Sequence, residues 1–232
     1  MVTLAAGIML GMAPRLCAQY DEDREPPSAN ERYVYGGLVR MDFKERWSNP
    51  ATDLLGIRFT RYMPFIGFRQ GATDVTFGYT QYPVGGLTRS SVYLGLIAGN
   101  DFRIAGNREA AFMFPIVLAA DFTKAQSRGT TLDDFNVGSL GIGGGLKLRY
   151  HSRDVDCTAQ ALEIIHYSFE GYAGGSGSSP ATVADVAFLL HQVDIADGIV
   201  FGYRFRMQTW AMSDTRFNYR SIQHGPYIGV MF

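Results

Sequence analysis

The chain has 232 residues, which favours a single domain, and its formal net charge is -1. This balance argues against nucleic acid as a partner, since such proteins carry a basic stripe. Glycine, tyrosine and phenylalanine are abundant at 27, 13 and 16 residues, while charged residues make up only 19%. Such a composition disfavours helices and favours strands. Two cysteines, Cys17 and Cys157, allow no disulfide framework and no CxxC motif.

The first residues have the pattern of an export signal. An apolar stretch at 2–12 is too short to cross a membrane as a helix, which needs about 20 residues. Leu16-Cys17-Ala18 then offers a cleavage site, so we predict a signal peptide over 1–18. A buried N-terminal helix and acylation of Cys17 are the alternatives. Residues 19–32 are charged, contain a Pro pair, and are predicted to form a flexible periplasmic segment.

The remaining chain, 33–232, alternates apolar and polar residues many times over. In 199–210, for example, isoleucine, phenylalanine, tyrosine and methionine alternate with glycine, arginine and glutamine. Successive side chains of a strand point to opposite faces, so each such segment predicts a strand with one apolar face. The ten predicted strands are Tyr33–Lys44, Thr52–Arg61, Asp74–Gln81, Ser91–Gly99, Ala111–Phe122, Asn136–Tyr150, Thr158–Glu170, Thr182–His191, Ile199–Trp210 and Arg220–Phe232.

Regularly spaced strands of this kind predict an all-β fold, an antiparallel up-and-down transmembrane barrel of ten strands, with eight as the alternative. The longest polar connections lie at 123–134 and 171–181, while Ala196-Asp197-Gly198 reads as a tight turn. Long outer loops and short periplasmic turns are typical of outer-membrane barrels. A soluble secreted barrel, with its apolar face inward, is the rival fold.

The last strand carries a second signal. Ile228, Val230 and Phe232 share one face, and Phe232 is an aromatic residue at the end of the strand. This pattern resembles the C-terminal signal strand that the barrel-assembly machinery recognises in small Gram-negative outer-membrane barrels. The resemblance implies export through the periplasm to the outer membrane, and contact with outer-membrane lipid and that machinery. An envelope protein partner is a further expectation, and no cofactor is expected.

The polar faces supply the candidate lumen. Its predicted lining residues are Arg40, Asp42, Arg58, Lys147, Arg149, Arg204 and Arg206. The lumen of an eight- to ten-stranded barrel is narrow and filled by side chains, which favours a structural or binding role. The alternative is a narrow small-solute channel that prefers anions because of the excess of arginine and lysine.

One segment offers a catalytic hypothesis. His166, Ser168 and Glu170 fall on the same face of a predicted strand, the face opposite Ile165 and Tyr167. The H-x-S arrangement resembles that of the outer-membrane lipid A deacylases. The resemblance implies His166 as general base, Ser168 as nucleophile and Glu170 as the orienting acid, and makes a lipid A-modifying enzyme the second alternative. The four histidines are widely spaced in the sequence, so no metal site is predicted.

Overall fold

The computed structural model describes residues 32–46, 55–107, 109–127, 134–152, 154–171, 175–193 and 196–232. The predicted signal peptide and residues 19–31 of the predicted periplasmic segment lie outside these residues. The strands are β1 Arg32–Glu45, β2 Phe59–Gln70, β3 Thr73–Val84, β4 Leu87–Gly106, β5 Ala110–Ala125, β6 Phe135–His151, β7 Val155–Glu170, β8 Ser176–Ser178, β9 Ala181–Val193, β10 Ala196–Thr209, β11 Ala211–Met212 and β12 Tyr219–Met231. No helix in the described part of the chain is both long and apolar enough to cross a membrane.

Ten of these strands close into a barrel, as predicted. Each long strand pairs antiparallel with its neighbours, and the ring is closed by the pairings β1–β12 and β7–β9. Paired residues followed once around the ring, starting on β7 at Val155, return to β7 at Tyr167, a shift of 12 residues (167 minus 155). Such a stagger goes with strands tilted by about 35–45° to the barrel axis. The short strands β8 and β11 pair with each other, and β8 also pairs with β7 beyond the end of β9.

We call the end where β1, β3, β5, β7 and β10 finish the loop end. The opposite end, where the chain reverses at Gly71-Ala72, is the turn end. β5 and β7, which lead into the two long polar connections at 123–134 and 171–181, both end at the loop end.

The second strand was misplaced by the sequence prediction. Thr52–Arg61 was expected, but β2 covers Phe59–Gln70. Pro64 lies in the middle of β2 and has no N–H to donate, which made this segment look like a connection. The ladder between β2 and β3 begins only at Phe65 and Gly78, so Pro64 lies outside it.

The two faces of the wall differ in composition. Large apolar side chains project outward from every strand of the ring, for example Leu38, Ile66, Leu118, Ile142, Ile165 and Phe201. Polar and charged side chains that are buried inside the ring include Asp74, Asp121, Asp185 and Arg206. An apolar outside with a polar inside is the arrangement of a membrane barrel and the reverse of a soluble one.

Glycines on the inner face of β6 leave no room for a side chain. A Cβ atom on Gly145 would lie 1.9 Å from the Ala161 carbonyl oxygen of β7, and one on Gly143 would lie 2.5 Å from the Glu163 carbonyl oxygen. We therefore expect Gly145→Ala to lower the free energy of unfolding by about 1–3 kcal/mol, because backbone atoms cannot move aside cheaply. Urea titration of the refolded barrel measures this. Gly144→Ala, on the outer face, is the control and should lose less. Equal losses would contradict the explanation.

Candidate functional site

Three arginine–aspartate bridges cross the lumen. They are Arg69 Nη1 to Asp185 Oδ1 at 2.9 Å, Arg204 Nη2 to Asp74 Oδ2 at 2.6 Å, and Arg206 Nη2 to Asp121 Oδ2 at 2.5 Å. In each bridge the two strands are four places apart in the ring of ten, so each bridge joins nearly opposite walls. We call these six residues the lumen network. It holds three positive and three negative charges, so its formal charge balances.

The Arg69–Asp185 and Arg204–Asp74 bridges are linked to each other. Arg204 Nε also donates to Asp185 at 3.2 Å, and Arg69 Nε donates to Asp74 at 2.7 Å. Each of the two carboxylates therefore accepts from both guanidinium groups. Charge-assisted hydrogen bonds of this kind are about twice as strong as neutral ones and fix the geometry of both partners.

Each aspartate of the network also accepts a hydrogen bond from a tyrosine. Tyr35 donates to Asp74 at 2.6 Å, Tyr227 to Asp185 at 3.0 Å, and Tyr93 to Asp121 at 3.2 Å. These bonds complete the coordination of carboxylates that are otherwise removed from water. A buried charge without such partners would cost several kcal/mol.

Guanidinium groups and glycines lie against the tyrosine rings. The Arg204 guanidinium lies 5.1 Å from the centre of the Tyr35 ring. The rings also sit against glycines, because a Cβ on Gly67 would be 2.3 Å from Tyr35 and one on Gly202 would be 2.1 Å from Tyr227. The glycines therefore make space for the rings that position the aspartates.

An aromatic layer fills the lumen at the loop end. Its members are Phe43, Phe59, Tyr82, Phe135, Trp210, Phe217 and Tyr219. Phe43 lies at the centre of the layer, with ring centroids 5.5 Å from Phe59, 5.2 Å from Phe135 and 5.1 Å from Tyr219. The chain segment that carries β11 follows directly after Trp210. There, hydrogen bonds from the Arg216 side chain hold the pKa of the Asp214 carboxyl below its usual value.

The predicted lumen residues divide into two groups. Lys147, Arg149, Arg204 and Arg206 point inward, where Lys147 pairs with Asp101 at 2.6 Å and Arg149 approaches Asp156 at 3.3 Å. Arg40, Asp42 and Arg58 instead lie on the outside, so their prediction was wrong. The inner face of β1 carries Tyr35, Met41 and Phe43. Toward the loop end the lumen is apolar and the outer wall polar, which reverses the pattern assumed from the sequence.

The contacts of His166 and Ser168 do not form the proton relay that the catalytic hypothesis requires. His166, Ser168 and Glu170 are all buried inside the ring. His166 Nδ1 donates to the Ser179 carbonyl at 2.8 Å, and Nε2 lies 2.9 Å from an Asp121 carboxylate oxygen. Nδ1 is occupied by a carbonyl and Nε2 faces a carboxylate, so neither ring nitrogen is directed at the Ser168 hydroxyl.

Ser168 belongs to a different group. Its hydroxyl is within hydrogen-bond distance of Ser139 Oγ at 2.7 Å and Ser179 Oγ at 2.5 Å. This cluster joins β6, β7 and the segment after β8 just below the aromatic layer. Its geometry is that of a buried hydrogen-bond cluster rather than of an activated nucleophile.

The aspartates of the network were missed by the sequence analysis. The available signal was a single acidic residue on an otherwise apolar or small-residue strand, as at Asp121 and Asp185. A buried carboxylate requires a cationic partner, so each of them implied an arginine elsewhere in the lumen.

No family model matches the chain, and no curated protein matches it. Among solved structures, the chain is similar to Neisserial surface protein A (NspA), with 9% identity and a TM-score of 0.35 over 87% of this chain and 97% of that one. It is also similar to the CymD monoaromatic hydrocarbon channel, with 11% identity and a TM-score of 0.26 over 88% of this chain and 66% of that one. The function is therefore inferred from the residues of this chain.

Proposed function

We propose that this protein is a barrel of the Gram-negative outer membrane with a structural or binding role, and that its lumen is closed to solutes. The observation that carries the proposal is the lumen itself. The six residues of the lumen network connect nearly opposite walls, and the aromatic layer covers them toward the loop end. Every cation of the network has a carboxylate partner, so the basis for an anion-preferring pore is weakened.

The outer wall supports a lipid partner. Toward the loop end, Lys44 of β1 lies in register with Arg220 of β12, and Arg40 lies in register with His224. Directly paired residues of neighbouring strands point to the same side, so these groups form a basic row near the loop end. The Asp42 carboxylate, 3.5 Å from Lys44 Nζ, provides partial compensation. Such a row suits the phosphate groups of outer-leaflet lipid, with the loop end outside the cell.

The loop end is the candidate surface for partner binding. The connections 126–134 and 171–180 are long and polar, and the second carries β8, which pairs with β11. Because loops on a rigid barrel carry function more often than the wall does, we propose that an envelope or external partner binds there.

A narrow channel is the second candidate, and a cavity favours it. This cavity of about 80 Å³ is lined by Arg69, Arg204 and the turn residues Gly71 and Ala72. A water molecule needs about 10–15 Å³ of such volume, so several waters fit beside the network. A rearrangement of the network would be required to extend this space across the membrane.

Conductance of the protein in a planar bilayer tests both candidates. For protein that resists carbonate extraction and shows the heat-dependent gel mobility of a folded barrel, we expect no stable current steps. A general porin in the same bilayer is the positive control. Stable steps from the wild-type protein would contradict the closed lumen. The channel candidate further requires that ion selectivity change when Arg204 and Arg206 are both replaced by glutamine.

A further inference from the structure

His151 and Asp156, five residues apart, meet the more distant His191 at the turn end. His151 is the last residue of β6 and pairs in register with Asp156 of β7. β9 pairs with β7 on its other side, with Leu190 opposite Val155, and this register brings His191 to the same place. The three side chains are called the His–Asp cluster. The wide spacing of the histidines in the sequence predicted no metal site. Spacing along the chain did not reveal that the strand register brings these three residues together.

The Asp156 carboxylate lies between the two imidazoles. One of its oxygens contacts His151 Nδ1, and the other lies 3.4 Å from His191 Nε2. Asp156 is only 1% exposed. His191 Nε2 is buried and makes no hydrogen bond to any residue that the structure describes. A buried ring nitrogen that lies 3.4 Å from a carboxylate oxygen without a hydrogen bond to it is an arrangement that a bound cation would satisfy.

From these contacts we propose that the His–Asp cluster binds a divalent transition-metal ion of the zinc class. Each residue offers one ligand atom, and the three atoms lie within 4.8 Å of one another. Zinc takes imidazole nitrogen and carboxylate oxygen at about 2.0–2.2 Å, and two histidines with one carboxylate leave the fourth position for water. In tetrahedral geometry the ligand atoms lie about 3.3–3.5 Å apart. Side-chain rotations that move the ligand atoms by about 1 Å therefore complete the site.

Access and competition set the expected affinity. The His151 side chain is 36% exposed, so an ion can enter from the turn end. Arg149 lies 3.3 Å from Asp156 and competes with a cation for the same carboxylate. The site is therefore expected to be weaker than a closed structural zinc site. Once bound, the ion would connect β6, β7 and β9 at the pairing that closes the ring.

The test uses protein purified from membranes without a histidine tag. Co²⁺ serves as the spectroscopic probe, because tetrahedral nitrogen and oxygen ligation gives it visible absorption. We expect saturable uptake of one Co²⁺ per chain, displacement by Zn²⁺, and a Zn²⁺-dependent rise in the unfolding temperature. His191→Gln should weaken binding at least tenfold. His224→Gln is the matched control, since His224 lies on the outer face and bonds to Tyr203.

Gel mobility establishes that each variant is folded. If His191→Gln does not fold, His151→Gln tests the same site at a more exposed position. The proposal is overturned if the wild-type protein shows no saturable Co²⁺ absorption. It is also overturned if a folded His191→Gln or His151→Gln variant binds as the wild type does, or if His224→Gln removes the absorption.

Discussion

Replacing Asp185 by alanine is expected to lower the free energy of unfolding by about 3–5 kcal/mol, because it leaves two buried guanidinium groups with one carboxylate between them. Asp185 accepts from Arg69 Nη1 at 2.9 Å, from Arg204 Nε at 3.2 Å and from Tyr227 at 3.0 Å. All three bonds are lost together, while Asp74 alone remains to balance both cations. Urea-dependent unfolding in lipid vesicles, followed by tryptophan fluorescence, measures the change.

Two further variants separate this cause from a general loss of charge. Asp42→Ala removes a carboxylate whose side chain is one-third exposed on the outer wall, 3.5 Å from Lys44, and should cost under about 1 kcal/mol. The double variant Arg69→Met with Asp185→Leu removes a cation and its partner together. It should lose less than Asp185→Ala alone, since buried pairs replaced by apolar residues are often near neutral. An Asp185→Ala protein within 1 kcal/mol of the wild type would contradict the account.

The wall of the barrel could be predicted because its signal is local. Strands such as β6 and β10 alternate residue by residue, and their observed bounds differ from the predicted ones by one to three residues at each end. The strand that was misplaced, β2, contains Pro64 and lacks a ladder to β3 above Phe65. The local signal there was weak because the local structure departs from a regular sheet.

The lumen could be predicted only in part, because its contacts are distant in the chain. Asp74 and Arg204 are 130 residues apart, and Arg69 and Asp185 are 116 apart. Alternation identifies the polar face of each strand but does not identify the partners across the ring. It also fails where the environment changes, as at Arg40, which lies outside because the lumen beside it is apolar.

The arrangement of polarity along the barrel axis supports a closed lumen. Ion pairs occupy the middle of the lumen, inside the part of the wall whose outer face is apolar. Aromatic side chains fill the loop end, where the outer wall already carries Arg40 and Lys44. The interior therefore has the composition of a packed core rather than that of a water-filled pore.

The second large effect is expected from Phe43→Ala, which should lower the free energy of unfolding by about 3–5 kcal/mol. Phe43 is 0% exposed and touches rings from three other parts of the barrel, with centroids 5.5 Å from Phe59, 5.2 Å from Phe135 and 5.1 Å from Tyr219. Alanine leaves a cavity that these rings cannot fill without leaving their rotamers, so the cavity adds to the lost burial. The unfolding experiment used for Asp185 also measures this loss.

Phe77→Ala is the matched control for the aromatic layer. Phe77 is 46% exposed on the outer wall, where flexible lipid or detergent chains fill the space that alanine leaves. Its loss should therefore be limited to the smaller transfer contribution, about 1–2 kcal/mol. If the aromatic layer closes the lumen as proposed, Phe43→Ala should also show brief current steps in the bilayer, whereas Phe77→Ala should show none. A folded Phe43→Ala protein no less stable than Phe77→Ala would mean that the layer is not a packed core.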